Sequence, residues 1–235
     1  MSMILAALVL AGVATPTWAE PAAIASADNY FLRPKDVILF LGNSITAGAQ
    51  AEFNFLKEDW KKQYPALAEG DTAVKFINGG SGGEQAAGGA KRLKKLLSGT
   101  DKPTVCVVCY GTCELTFKNE KSFTPAMKEI VKLLKEEGVL VIIVATPPPC
   151  ELHPKWQYWI DGTPDLVKQA RKLAEDESVL FVDAYADLDA FFKKTKKDFT
   201  SDGIHLNKDG YRVMADSLQK AWNAGKPLVE QPRNK

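Results

Sequence analysis

Five short apolar runs, separated by stretches of helical periodicity, constrain this chain more than any other feature. The runs are 36–41 (DVILFL), 74–77 (VKFI), 104–110 (TVCVVCY), 140–145 (LVIIVA) and 179–182 (VLFV). Most are continuously apolar rather than alternating. A strand that is apolar on both faces is covered on both, as strands of a parallel sheet are. Strands that alternate with helices are the sequence form of βαβ units. The chain is therefore expected to be an α/β protein, a three-layer α/β/α sandwich around a five-stranded parallel sheet.

The helical stretches are predicted at 52–64, stopped by Pro65, and at 85–97, ending near Gly99. Thr124-Pro125 reads as an N-cap followed by a proline at the first helical position. Met127, Ile130, Val131 and Leu134 then share one face, and Gly138 ends the helix. Thr163-Pro164 is expected to open another helix, to about Ala174. A last one is expected over 208–222, with Tyr211, Met214, Leu218 and Ala221 as its apolar stripe. No internal repeat, low-complexity tract or internal linker interrupts this pattern.

The chain of 235 residues, with 46% hydrophobic and 25% charged residues, suits one ordinary domain. Its net charge of +1 gives no electrostatic reason for nucleic acid or an anionic membrane as partner. Two basic clusters, Lys91, Arg92, Lys94, Lys95 and Lys193, Lys194, Lys196, Lys197, read as a solvated helix face and a surface loop. Residues 4–13 are apolar or small, and Thr17-Trp18-Ala19 precedes Glu20 in the manner of a signal-peptidase site. The domain plan is a signal peptide over 1–19, a connector over 20–30, the folded domain over 31–225 and a tail over 226–235. A buried or interfacial N-terminal helix is the competing reading of the first segment. Export places the mature protein in a secreted or periplasmic location, and no later segment is long and apolar enough to span a membrane. Nothing in the sequence specifies an oligomer.

In open α/β sheets, ligands bind beyond the carboxyl ends of the strands. Three segments there carry chemistry. The first strand runs into Gly42-Asn43-Ser44, which puts a serine at the start of a helix, with Gly42 permitting a tight turn. The second runs into Asn78-Gly79-Gly80-Ser81-Gly82-Gly83-Glu84, a turn whose glycines let backbone N–H groups approach a ligand. No Gly-Lys-Ser/Thr follows, so a phosphate-binding P-loop is not indicated. Before the last helix lies Asp202-Gly203-Ile204-His205, which presents a carboxylate and an imidazole from one loop. Serine, histidine and aspartate are the parts of an acyl-transfer triad.

Taken singly these segments are common turn sequences. In this order, with Gly111-Thr112-Cys113-Glu114 after the third strand, they resemble the SGNH hydrolase superfamily, the GDSL-like lipases and esterases. The resemblance covers roughly 36–218 and implies a flavodoxin-like sandwich of the SGNH type. It implies Ser44 as nucleophile and Asp202 and His205 as its partners. It also implies Ser44 and Gly80 as N–H donors to an oxyanion, and Asn43, Asn78, Gly111 and Glu114 as supports of the loops. No metal or cofactor is implied.

One position departs from that pattern. The family asparagine whose amide donates to the oxyanion is here Cys113, and a thiol is a weak donor. Loss of one such donor costs about 10²–10³ in turnover. Three readings stay open: two backbone donors suffice, another donor substitutes, or the chain binds without turning over. Cys113 and Cys150 follow neighbouring strands, so a disulfide between them is feasible in an exported protein. Cys106 and Cys109 lie within a strand and read as inert buried thiols. Ser44 and His205 already account for the chemistry, so Cys113 is not needed as a nucleophile.

Trp156, Tyr158 and Trp159, after the fourth strand, offer a wall for a sugar ring or acyl chain, or simply pack a long loop. His153 in the same stretch is a weaker candidate for the base, since no carboxylate frames it as Asp202 frames His205. The expected substrate is a small-molecule or polysaccharide ester, foremost an O-acetyl group. A lipid ester or thioester comes second. A non-catalytic carbohydrate-binding relative and an unrelated flavodoxin-like binding domain are the rival classes.

Overall fold

The computed structural model describes residues 32–223. The expected signal peptide, the connector and the tail lie outside these residues. Five parallel strands form one sheet: β1 (Val37–Gly42), β2 (Lys75–Gly80), β3 (Val105–Cys109), β4 (Leu140–Val144) and β5 (Leu180–Val182). Their order is β2-β1-β3-β4-β5. The helices, in chain order, are α1 (Ser44–Ala47), α2 (Gln50–Gln63), α3 (Pro65–Ala68), α4 (Ala86–Leu97) and α5 (Thr112–Thr116). They continue with α6 (Phe123–Glu136), α7 (Gln157–Asp176), α8 (Ala184–Thr195) and α9 (Lys208–Asn223).

The pleat explains the continuous apolar runs. Ile38 and Phe40 of β1 enter one core with Val105, Val107, Ile142 and Val144, under Phe53, Leu56 and Trp60 of α2 and Met214 and Leu218 of α9. Leu39 and Leu41 point the other way and join Cys106, Val108, Val141 and Ile143 beneath α4, α6 and α7. Each face of the central strands is thus buried against helices, which is the three-layer arrangement expected. Each large side chain so buried contributes roughly 1.5–3 kcal/mol.

Connections leave β1 toward β2 on one side and return to β3 on the other. The resulting switch point lies between the carboxyl ends of β1 and β3, where a crevice opens in such sheets. Ser44 and Cys113 follow these two strands.

Two helix starts and one whole helix differ from expectation. α6 begins at Phe123, so Thr124 lies inside it; its hydroxyl donates to Gln169 Oε1 of α7 at 2.7 Å instead of capping. α7 begins at Gln157 and carries Pro164 in its interior. The Thr163 hydroxyl donates to Trp159 O at 2.6 Å, and Trp159 packs on the core, so tertiary contact carries the helix through a residue that normally stops one. α8 was not expected. Asp183 caps it by accepting from Ala186 N at 3.1 Å, and Leu188 and Phe192, four apart, are buried. Lys193 and Lys194 belong to its last turn and Lys196 is its left-handed C-cap, so that cluster is a helix end and not a loop.

Candidate active site

Ser44 is placed by backbone. Gly42 pairs with Gly80 on one side and Cys109 on the other, which locks the end of β1 between two strands. A Cβ on Gly42 would lie 2.1 Å from Thr46 Oγ1 and 2.5 Å from Cys109 O, so only glycine fits this turn. Asn43 is buried, and its Oδ1 accepts from Ile45 N at 3.0 Å, capping α1. From the far side, the Tyr211 hydroxyl of α9 donates to Ile45 O at 2.7 Å.

The loop before α9 reaches the same point. Asp202 Oδ1 accepts from Ile204 N at 3.0 Å and from His205 N at 2.8 Å. Its other oxygen, Oδ2, lies 2.8 Å from His205 Nδ1, and His205 Nε2 lies 2.9 Å from Ser44 Oγ. Partial burial raises the Asp202 carboxyl, but the bonds from the imidazole and the two N–H groups outweigh it and hold the group down to about 2. An ionised Asp202 only accepts, so Nδ1 carries the proton and Nε2 turns a lone pair to the serine. The three side chains expected to act together are brought together.

Other side chains hold this loop. Asn207 donates from Nδ2 to Asp198 O at 2.9 Å and to Thr200 O at 3.0 Å, while its Oδ1 accepts from Asp209 N at 2.9 Å and Gly210 N at 3.1 Å. Gly203 has φ +99°, and a Cβ there would lie 2.4 Å from the Trp156 ring. Trp156 Nε1 donates to Asp202 O at 3.0 Å. His153 Nε2 lies 2.6 Å from Asp198 Oδ2, and Thr200 donates from N to Asp198 Oδ1 at 2.8 Å. His153 is therefore part of the scaffold behind the loop rather than a rival base. Asp198, Thr200 and Asn207 carried no signal beyond the local Asx spacing of Asp198 and Thr200.

The oxyanion side requires a correction. Gly80 N–H donates to Asn78 Oδ1 at 2.9 Å, and Asn78 Nδ2 donates to Ala47 O at 3.0 Å. Asn78 braces the loop as expected, but it does so with the N–H assigned to the oxyanion. Gly80 is a glycine for another reason: a Cβ there would lie 2.1 Å from Ala47 N. The N–H groups of Ser44, Gly82 and Gly83 have no acceptor among the described residues, and Gly83 has φ +72°. The turn therefore presents its free donors two and three residues beyond Gly80.

Glu114 is fully buried and ties two loops together. It accepts from Ala86 N, at the start of α4, at 2.6 Å and from Gly111 N at 3.1 Å. Burial raises its carboxyl against these bonds. Gly111, with φ +132°, leaves room for Thr146, whose hydroxyl donates to Tyr110 O. The Cys113–Cys150 bridge is not formed; all four cysteines are free. Burial raises both thiols, Cys113 beside the Glu114 and Glu84 charges and Cys150 beside Asp198, so the two face different neighbours. Burial, then the Glu114 and Glu84 charges, push the Cys113 thiol up to about 11, which removes it as a thiolate nucleophile.

Of the aromatic candidates, Trp156 meets the Asp202–His205 loop and stacks on Trp159 with centroids 4.9 Å apart. Tyr158 donates to Glu120 and lies under Lys118.

The sequence matches the GDSL-like Lipase/Acylhydrolase family over residues 40–213. The acetyl xylan esterase AlAXEase has a similar structure, with a TM-score of 0.69 at 21% identity, covering 79% of this chain and 98% of that one. A catalytic mutant of an acetylxylan esterase from Geobacillus stearothermophilus gives 0.69 at 16% identity, covering 86% and 99%. LAE5, an α/β hydrolase enzyme from the metagenome of Lake Arreo in Spain, gives 0.68 at 16%, covering 85% and 99%. At these identities the likeness is one of fold. Among curated proteins none matches the sequence.

Proposed function

The chain belongs to the GDSL-like lipase/acylhydrolase family and is a carboxylic ester hydrolase, and from this premise we propose that it is an exported serine esterase with Ser44 as nucleophile. The single observation that carries the mechanism is the Asp202–His205–Ser44 chain, with links of 2.8 and 2.9 Å. Ser44 Oγ attacks the ester carbonyl carbon while His205 Nε2 takes its proton. Asp202 holds the ring tautomer and stabilises the imidazolium. The N–H groups of Ser44 and of the 82–83 turn receive the oxyanion. His205 then protonates the leaving alcohol, and water, deprotonated by the same nitrogen, releases the acid from Ser44.

The substrate is a small acyl ester, foremost an O-acetyl group on a polysaccharide. Two supports favour it: the leader-like 4–19 segment, and structural neighbours named as acetylxylan esterases. Hydrolysis of p-nitrophenyl acetate by the wild type, beside Ser44→Ala and His205→Ala, tests the mechanism. Turnover that survives Ser44→Ala removes it. An inert wild type that binds xylan selects the non-catalytic reading that Cys113 left open. Acetylated xylan against a long-chain ester then tests the substrate class, and preference for the long chain rejects acetyl specificity.

A further inference from the structure

A turn built from Gly79, Gly80, Gly82 and Gly83 has little of its own to hold it, because glycine carries the largest backbone entropy. Inside the turn, one bond from Glu84 N to Ser81 O at 3.2 Å is the only backbone tie among the described residues. From outside, Ser81 N donates to Gly42 O at 2.9 Å, and one guanidinium clasps both ends of the turn. Arg92 Nη2 donates to Gly79 O at 2.7 Å, at the start of the turn, and to Glu84 Oε2 at 2.7 Å, at its end. Arg92 Nε donates to Glu84 Oε1 at 2.9 Å. The Tyr110 hydroxyl, beyond β3, donates to the same Glu84 Oε2 at 2.7 Å. The Gly79–Gly80 peptide is thus gripped at its carbonyl by Arg92 and at its N–H by Asn78.

Helix α4 is shaped around this arrangement. A Cβ on Gly89 would lie 2.1 Å from the Tyr110 oxygen, and one on Gly88 would lie 2.9 Å from Glu84 Cγ. A glycine inside a helix is less favourable than alanine. Here the space they leave is filled by Glu84 and Tyr110. Arg92 is the member of the Lys91–Lys95 basic cluster that is not solvated: its side chain is 29% exposed and that of Glu84 13%.

We propose that Arg92, acting through Glu84, is a positioning residue that straps both ends of the 79–84 turn and so aims the Gly82 and Gly83 N–H groups at the acyl oxygen on Ser44. The inference rests on the serine esterase reading above. Arg92 touches no reacting atom. Its effect is on where two neutral donors stand when charge develops, and a misplacement of about 1 Å at such a site is worth up to about 10² in rate.

The test uses the full chain with Arg92→Ala, Arg92→Lys and Glu84→Gln. Arg92→Ala is expected to lower kcat on p-nitrophenyl acetate about 10–10²-fold with KM held within about twofold. Affinity for phenylboronic acid, which becomes tetrahedral on the serine, is expected to fall by the same factor as kcat. Methylguanidinium in the buffer should restore part of the lost kcat to Arg92→Ala and none to Arg92→Lys. The strap is overturned if kcat stays within about twofold of wild type. It is also overturned if kcat falls only as the folded fraction falls, with boronic acid affinity per folded molecule unchanged. Should Arg92→Ala not fold, Glu84→Gln, which keeps the shape and removes the charge, is read by the same criteria. A wild type that is inert, or that survives Ser44→Ala, overturns the esterase reading and the strap together. That outcome is visible before any Arg92 variant is made.

Discussion

The two halves of the candidate site are held in opposite ways. Ser44 stands at the end of the central strand β1, flanked by β2 and β3, and the first turn of α1 is capped by Asn43. Its position is fixed by backbone. The loop bearing Asp202 and His205 has one β-bridge, between Thr200 and Leu206, and a backbone bond from Cys150 N to Gly203 O at 2.9 Å, and is otherwise shaped by the side chains of Asn207, Asp198 and Trp156. Damage near Ser44 should therefore appear first in stability, and damage around the loop first in turnover.

The largest effect expected is at the loop itself. Asp202→Asn removes the acceptor that fixes the His205 tautomer and should lower kcat about 10⁴-fold with little change in melting temperature. A loss below about tenfold would mean that the loop backbone alone orients the ring. At the serine corner, Gly42→Ala should cost about 3 kcal/mol in urea unfolding, since its Cβ meets the carbonyl of Cys109. An unchanged midpoint would show that the corner yields as readily as the loop.

Behind the corner, Glu52 of α2 is buried with Oε1 unpartnered, and burial pushes its carboxyl up to about 8. The folded chain keeps that proton to about pH 8, while the unfolded chain releases it near 4.5. Between these values the unfolded state binds fewer protons, so stability falls as pH rises through this window. Glu52→Gln should exceed the parent by about 3–5 kcal/mol at pH 8 and match it near pH 4.5. A constant difference across pH would place the titration elsewhere.

Returning to the loop scaffold, Asp198→Asn loosens the grip of His153 and should lower kcat about tenfold. Stability should change by less than about 1 kcal/mol, because the pair is partly exposed. The smallest effect is expected of Cys113→Ala, within about threefold in kcat, since a thiol donates little to an oxyanion. A larger loss would make Cys113 the substitute donor.

The same contrast explains what could be read from the chain. The sheet was legible because β1, β3 and β4 are apolar on both faces, and the meeting of Ser44, Asp202 and His205 was legible because their segments stand in one order beyond the strands. Helix α8 was missed because its apolar face is short, with Leu188 and Phe192 carrying it. The starts of α6 and α7 differ because Thr124 bonds across to Gln169 of α7 and Thr163 bonds back to Trp159 within its own helix, so neither caps. The family resemblance implies Gly80 as donor, and no motif records that its N–H is already taken by Asn78. Arg92 lay in a run of lysines, and its partner Glu84, eight residues earlier, does not share its helix face. Asp198 and Asn207 act across turns whose geometry no short motif records.

The free thiols of Cys106, Cys109, Cys113 and Cys150 have one more implication. With each sulfur enclosed and no covalent cross-link between distant segments, maturation does not wait on an oxidant. The described fold is held by packing and hydrogen bonds, with no sulfur–sulfur bond for glutathione to reduce.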